Sequence, residues 1–170
     1  MEKFCDFLEK IVLRIGQIAM WSNGLLILTI LLQVVLRYVF HNGLVALEEL
    51  EWHFYAVGIM IGASYAMVKD VHIRVDLFHS RLSEKNRNRF ELFGILFLLL
   101  PFLLVIFHQS IDYVYEAWRM NERSPSPMGL PFRWIIKGFI PFGFGLMILA
   151  SISQILRVLI ALRRFDHVAQ

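Results

Sequence analysis

A single cysteine, Cys5, in 170 residues is too few for a disulfide framework or a cysteine-ligated zinc site. Charge is scarce too: Asp, Glu, Lys and Arg make up 18% of the chain, against about one quarter in a soluble domain. No Walker motif, glycine-rich nucleotide loop or His-Glu-x-x-His zinc motif occurs. Glu49 and His53 stand four residues apart, but the Glu-x-x-His spacing of di-iron bundles is missing. No metal, cofactor or enzymatic activity is therefore expected. What is present is apolar: 58% hydrophobic residues, 15 Phe, 4 Trp and a mean hydropathy of +0.60. A soluble core of this length cannot hide that much apolar surface.

The absence of charge is local rather than diffuse. Uncharged runs cover residues 15–36 (22 residues), 52–68 (17), 92–111 (20) and 138–156 (19). A bilayer core of about 30 Å needs roughly 17–25 residues of helix. A buried helix of a soluble bundle would carry charge on a solvent face every turn or two. Barrel strands would alternate in segments of about ten residues, and these runs do not. The sequence thus predicts an all-α integral membrane protein, a single membrane domain over 1–170 with four transmembrane helices. The spans fall at approximately 15–40, 50–68, 86–118 and 135–160. Pro101 and Pro141 inside spans three and four predict local kinks that neighbouring helices can accommodate.

The N-terminal segment carries Glu2, Asp6 and Glu9 among its bases and no small-x-small site after the first span, so it does not read as a cleavable signal. Phe4, Phe7, Leu8, Ile11 and Val12 recur with a helical period, predicting a short amphipathic helix along the interface. Lys and Arg set the orientation. The N-terminal segment, the loop between spans two and three, and the tail together hold twelve; the other two loops hold five. Both termini are therefore expected in the cytoplasm. Tyr38, Trp52, Tyr55, Tyr113, Tyr115, Trp118 and Trp134 fall at the outer ends of spans, where an interfacial aromatic belt belongs. The basic residues thus report topology and membrane lipids, and nucleic-acid binding drops out.

The loops concentrate the remaining chemistry. Glu48, Glu49 and Glu51 stand where span two enters the membrane. Acids there either complement the positive end of the helix dipole or pair with a base such as Arg37, within the chain or across a subunit boundary. In the inner loop, Val71, Ile73 and Val75 alternate with His72, Arg74 and Asp76, which predicts a short extended stretch. The outer segment 112–137 continues as helix through Asn121, then turns through closely spaced prolines and Gly129. No acid or base lies inside a run, so the usual mark of an ion path is missing. His53 and His108 fall at similar depth near the outer boundary. Facing histidines at that depth would suit a haem-b-bearing anchor of a respiratory complex, the alternative reading.

These pieces together resemble the small integral-membrane (DctQ-type) subunit of tripartite ATP-independent periplasmic (TRAP) transporters. The resemblance rests on Arg37-Tyr38 at the exit of span one, on Glu48 and Glu49, and on Gly62-Ala63-Ser64-Tyr65. It continues with His72-Ile73-Arg74-Val75-Asp76, then Gly129-Leu130-Pro131, Trp134, Lys137, Ile140-Pro141 and Gly143. It implies a subunit of the bacterial inner membrane that does not itself bind substrate. In such a system a large membrane subunit carries the substrate and sodium sites, and a periplasmic substrate-binding protein delivers an organic acid. The small subunit would act as a scaffold and help dock the binding protein. Subunit contacts or structural roles would then fall to Arg37, Glu48, Glu49, His72, Arg74, Asp76, Leu130, Pro131, Trp134, Lys137 and Pro141.

Overall fold

The computed structural model describes residues 2–69 and 83–168, and no strand occurs among them. His72, Arg74 and Asp76, with the alternating stretch around them, lie outside the described residues. The helices are α1 (Glu2–Ala19), α2 (Trp21–Tyr38), α3 (Val45–Val68), α4 (Glu84–Phe93), α5 (Leu100–Arg119) and α6 (Arg133–Val168). Three stretches are long and apolar enough to cross a membrane: Glu2–Tyr38, Glu84–Arg119 and Arg133–Arg163. The second run, in α3, is not among them. At 24 residues α3 is long enough, about 36 Å at 1.5 Å per residue. Its early turns, however, hold Glu48, Glu49, Glu51, Trp52, His53 and Tyr55, which dilute its apolar character.

Polarity along α2 is reversed relative to a helix of a soluble protein. On α2 the buried residues are Ser22, Thr29 and Gln33, while Leu25, Ile27, Leu28, Leu31 and Leu32 are exposed. Ser64, Ser110, Ser151 and Ser153 are buried on the other helices. Lipid tails are as apolar as leucine, so burying leucine gains little there, whereas small hydroxyl residues allow close helix approach. Most of these hydroxyls donate to a carbonyl of their own helix: Thr29 to Leu25 (2.8 Å), Ser64 to Ile61 (2.7 Å) and Ser110 to Phe107 (2.7 Å).

Close approach also sets the register. Gly16 faces Tyr65, Gly58 faces Asn23, and Gln33 reaches Glu48, so α1 and α2 run antiparallel to α3 on one register. Gly143 lies against the backbone of Met60, and Gln154 Nε2 donates to the carbonyl of Met67 at 2.9 Å. Those two contacts make α3 and α6 parallel neighbours. Phe102 meets Phe144 at 6.4 Å between ring centroids and Lys137 stands over Tyr113, which sets α5 antiparallel to α6. α6 is thus the central helix, packing on α1, α3, α4 and α5.

Three local features refine the sequence reading. The N-terminal helix does not lie apart along an interface. α1 buries Cys5, Leu8, Val12, Gly16 and Ala19 against α3 and α6, and Val12 joins Ile61 and Leu146 in the core. Its periodic face finds protein before it needs headgroups. Between α4 and α5 the chain takes a π-helical turn, Gly94–Leu99, immediately before Pro101. A proline lacks the N–H for the α ladder and its ring clashes with the carbonyl four residues back, and a widened turn relieves both. Pro141, by contrast, lies within α6 with the helix assigned without a break across it.

The end of the bundle that carries the start of α1 is held by ions. Arg157 on α6 donates to Asp6 (2.8 Å) and Glu9 (2.7 Å) of α1, and Ser153 Oγ donates to Glu9 at 2.8 Å.

The glycine contacts make a paired prediction. A Cβ on Gly143 would lie 2.8 Å from the Met60 carbonyl oxygen, a backbone atom that cannot swing away, whereas a Cβ on Gly62 meets nothing within 4 Å. Gly143→Ala should destabilise the bundle by about 1–3 kcal/mol, the cost of overpacking. Gly62→Ala should be neutral or slightly stabilising, by about 0.5–1 kcal/mol from helix propensity. Thermal unfolding in detergent compares them, and equal midpoints would contradict the close approach.

Candidate functional site

At the end of the bundle that carries the α2–α3 turn and the α5–α6 loop, polar side chains from several described helices converge on loops. It starts with Gln33, buried near the end of α2. Its Oε1 accepts from the N–H of Leu44, the residue before α3, and its Nε2 donates to Glu48 at 3.2 Å. One amide side chain therefore caps α3 and orients its first acid. The turn between α2 and α3 is tight, with His41 at φ 52° and the Asn42 N–H donating to Leu36.

Glu49, one residue on, grips a distant loop. Its carboxylate accepts from Ser124 Oγ and, at 2.6 Å, from the N–H of Leu130. The loop is also closed on itself: Ser124 N–H donates to the Leu130 carbonyl, Gly129 N–H to Ser126, and Ser126 N–H to Ser124 Oγ. Gly129 is needed for space, since a Cβ there would lie 2.5 Å from Ser124 and 2.8 Å from Glu49 Oε1. Asn121, Met128 and Phe132 adopt positive φ without being glycine. Such backbone strain, on the order of 1–3 kcal/mol each, persists only where surroundings over-determine it. The Glu49 latch supplies part of that determination.

A second latch adjoins the first. Glu122 accepts from Lys137 Nζ, whose ammonium also stands 3.9 Å from the ring centre of Tyr113. The Arg133 N–H donates to the Glu122 carbonyl at 3.1 Å and so fixes the entry to α6. The loop between α5 and α6 is therefore clamped by α3 on one side and by α6 on the other.

The structure thus brings Glu48, Glu49, Leu130 and Lys137 to one end of the bundle. Pro131 is exposed beside them and Trp134 is half-buried in the first turn of α6. Pro141 lies two turns deeper, on an apolar groove with Leu104 and Phe107. Arg37 ends α2 exposed and, among the described residues, forms no ion pair; Gln33 holds Glu48 in its place. Sequence reading passed over Gln33, Ser124 and Glu122. The signal for Ser124 was its place beside Gly129 and the prolines, but nothing local names Glu49 as its partner. The haem alternative finds no support. His53 Nδ1 is engaged by the Glu49 carbonyl, His108 is exposed on α5, and α3 and α5 each pack on α6 instead of forming a packed pair.

The Glu49 latch should respond to acid. The Ser124 hydroxyl and the Leu130 N–H, helped by nearby Arg133 and His53 and opposed by burial, hold its carboxyl below its ordinary value of 4.5. A depressed pKa means the latch stabilises the folded loop fully above about 4.5 and loses that contribution as pH falls through the lower folded value. The protection factor of the Leu130 amide, its exchange rate divided into the intrinsic rate at the same pH, should be high at pH 7 and fall below pH 4.5. Glu49→Ala should show the low protection factor at both pH values. A variant amide as protected as wild type would count against the latch.

Comparison with known proteins bears on this arrangement. No curated protein matches the chain. A family model does: residues 26–161 match the DctQ component of tripartite ATP-independent periplasmic transporters. The match runs from α2 through most of α6 and includes Gln33, Glu48, Glu49, the clamped loop and Lys137. The chain therefore belongs to the DctQ family, the small permease component of TRAP transporters.

Proposed function

We propose that this protein is the small permease subunit of a sodium-coupled, binding-protein-dependent TRAP transporter for organic acids. It serves as a membrane scaffold for the large transport subunit and helps dock the periplasmic substrate-binding protein. The whole chain acts as one membrane domain of the bacterial inner membrane, with four spans and both termini cytoplasmic. The observation that carries this reading is the separation of roles within the bundle. The walls are uncharged and apolar outward, and the ionic and polar networks sit at the two ends. A wall without Asp, Glu, Lys or Arg offers little ion path of its own, which leaves substrate and sodium to the partner.

The fourth span is argued from packing. α3 keeps one antiparallel register with α1 and α2 and one parallel register with α6. Flanked on both sides by helices apolar enough to cross, it is carried across with them. That gives an even number of crossings and agrees with twelve of the seventeen Lys and Arg residues falling on one side. Within the scaffold, Glu48, Glu49, Leu130, Pro131, Trp134 and Lys137 shape the outer face on which a binding protein would settle. Arg37 and Pro141 face outward toward lipid or the large subunit. His72, Arg74 and Asp76 are assigned to the inner contact with that subunit.

Deleting this chain should abolish organic-acid uptake in cells expressing the large subunit and binding protein, and the tagged chain should co-purify with a larger membrane protein. Undiminished uptake would overturn the scaffold reading. Topology is tested separately by single cysteines in a Cys5→Ala background. Asn42→Cys and Ser126→Cys should react with an impermeant maleimide on intact cells, and Ser83→Cys only after lysis. Labelling of Ser83→Cys from outside would mean that α3 does not cross.

A further inference from the structure

Beside the Glu48–Gln33 contact, a cleft of about 380 Å³ opens between the ends of α2 and α3. Two of its walls carry opposite charge: Arg37 from the last turn of α2, and Glu48 and Glu51 from α3. They do not neutralise one another, since no nitrogen of Arg37 lies within 4.0 Å of a described carboxylate oxygen. Glu51 Oε1 is buried, yet has no hydrogen-bond donor. A buried carboxylate oxygen without a donor is costly, and native structures almost always supply one. The cleft therefore holds a cation short of an anion and an anion short of a donor.

Its surroundings are those of a headgroup layer. Tyr38 and Trp52, 74% and 70% exposed, flank the cleft, and rings of this kind settle at the membrane–water boundary. Ile30 and Val34 of α2 form its deeper wall and continue into the exposed apolar face of that helix. A ligand lying there meets water-facing charge at one end and a hydrocarbon surface at the other.

We propose that this cleft binds a phospholipid with a phosphoethanolamine headgroup. The phosphate pairs with Arg37, the primary ammonium pairs with the Glu51 carboxylate and the free oxygen of Glu48, and an acyl chain lies along Ile30 and Val34. Other occupants satisfy only part of the cleft. A lone lysine from a neighbouring protein would serve Glu51 and leave Arg37 unmatched. An anionic lipid would serve Arg37 and be repelled by two carboxylates. Phosphocholine carries both charges, but its quaternary nitrogen has no N–H to donate. The inference rests on the α2–α3 turn lying at the outer headgroup level. Cysteine labelling tests that placement, whereas lipid retention in detergent does not depend on it, so the two failures are distinguishable.

The test is native mass spectrometry of the delipidated full-length chain titrated with dioleoyl lipids of different headgroup. Phosphatidylethanolamine should be retained about three- to tenfold more tightly than phosphatidylcholine or phosphatidylglycerol, the size expected of one net hydrogen bond. Glu51→Gln should remove that preference while leaving phosphatidylcholine retention unchanged. Arg37→Gln should weaken retention of both zwitterionic lipids. Equal retention of ethanolamine and choline lipids by wild type, or an intact preference in Glu51→Gln, would overturn the proposal. So would tighter binding of phosphatidylglycerol, which would leave only an Arg37 phosphate contact. Should Glu51→Gln fail to fold, stepwise N-methylation of the headgroup decides on wild type alone. Retention must fall at the trimethyl form, and a flat series refutes the site. If Glu51→Gln lowers recovery of the larger membrane partner with lipid selectivity unchanged, a protein cation occupies the cleft and the lipid assignment is wrong.

Discussion

Hydrocarbon cannot hydrogen-bond, so every polar atom on a membrane helix must be answered by the helix itself or by a neighbour. The arrangement of this bundle follows from that condition. Thr29, Ser64 and Ser110 turn inward and donate to their own backbones, while leucines, isoleucines and phenylalanines turn outward. Small inward residues let helices approach until Gly143 touches the Met60 backbone and Gly16 the Tyr65 ring. Close approach in turn fixes register, and register decides which end residues can meet.

Charge is pushed to the ends, and there it is organised. Arg157 forks across Asp6 and Glu9 at one end, tying the last helix to the first. At the other end, Glu48 is tied to α2 and Glu49 to the α5–α6 loop, so consecutive residues of α3 hold opposite sides of the bundle together. The result is a frame clamped at both ends, with unadorned walls between the clamps.

Much of this was legible in the sequence and some was not, for identifiable reasons. Uncharged runs of bilayer length leave little alternative to helices, and four runs became four helical segments. The second run is the instructive one: at 17 residues, with Trp52, His53 and Tyr55 at its head, it is the least apolar, and its crossing is argued from its neighbours instead of its own composition. Glu48 and Glu49 stood out as acids at a helix entrance, but their partners did not. Arg37 was the obvious base, yet Gln33, one turn earlier, occupies the face that meets α3. The Glu49 latch spans 75 to 81 residues, a distance over which spacing carries no information. Arg157 read only as a topology charge, and Asp6 and Glu9 only as acids unlike a cleavable signal, until packing brought α1 beside α6. The π-turn had a sequence signal in Pro101, but a proline in a membrane helix is equally compatible with a kink.

The Arg157 fork bears on how the protein comes into being. Its partners, Glu9 and Arg157, are 148 residues apart. At roughly 5–20 residues per second of synthesis, α1 waits about 7 to 30 s for the arginine that completes it. During that interval Asp6 and Glu9 must stay where water can hydrate them. The glycine-lined contacts between the first and second segments can already form. Closure of the ring from last helix to first is therefore a late event, and an unfinished chain would be recognisable by two unsatisfied acids at its beginning.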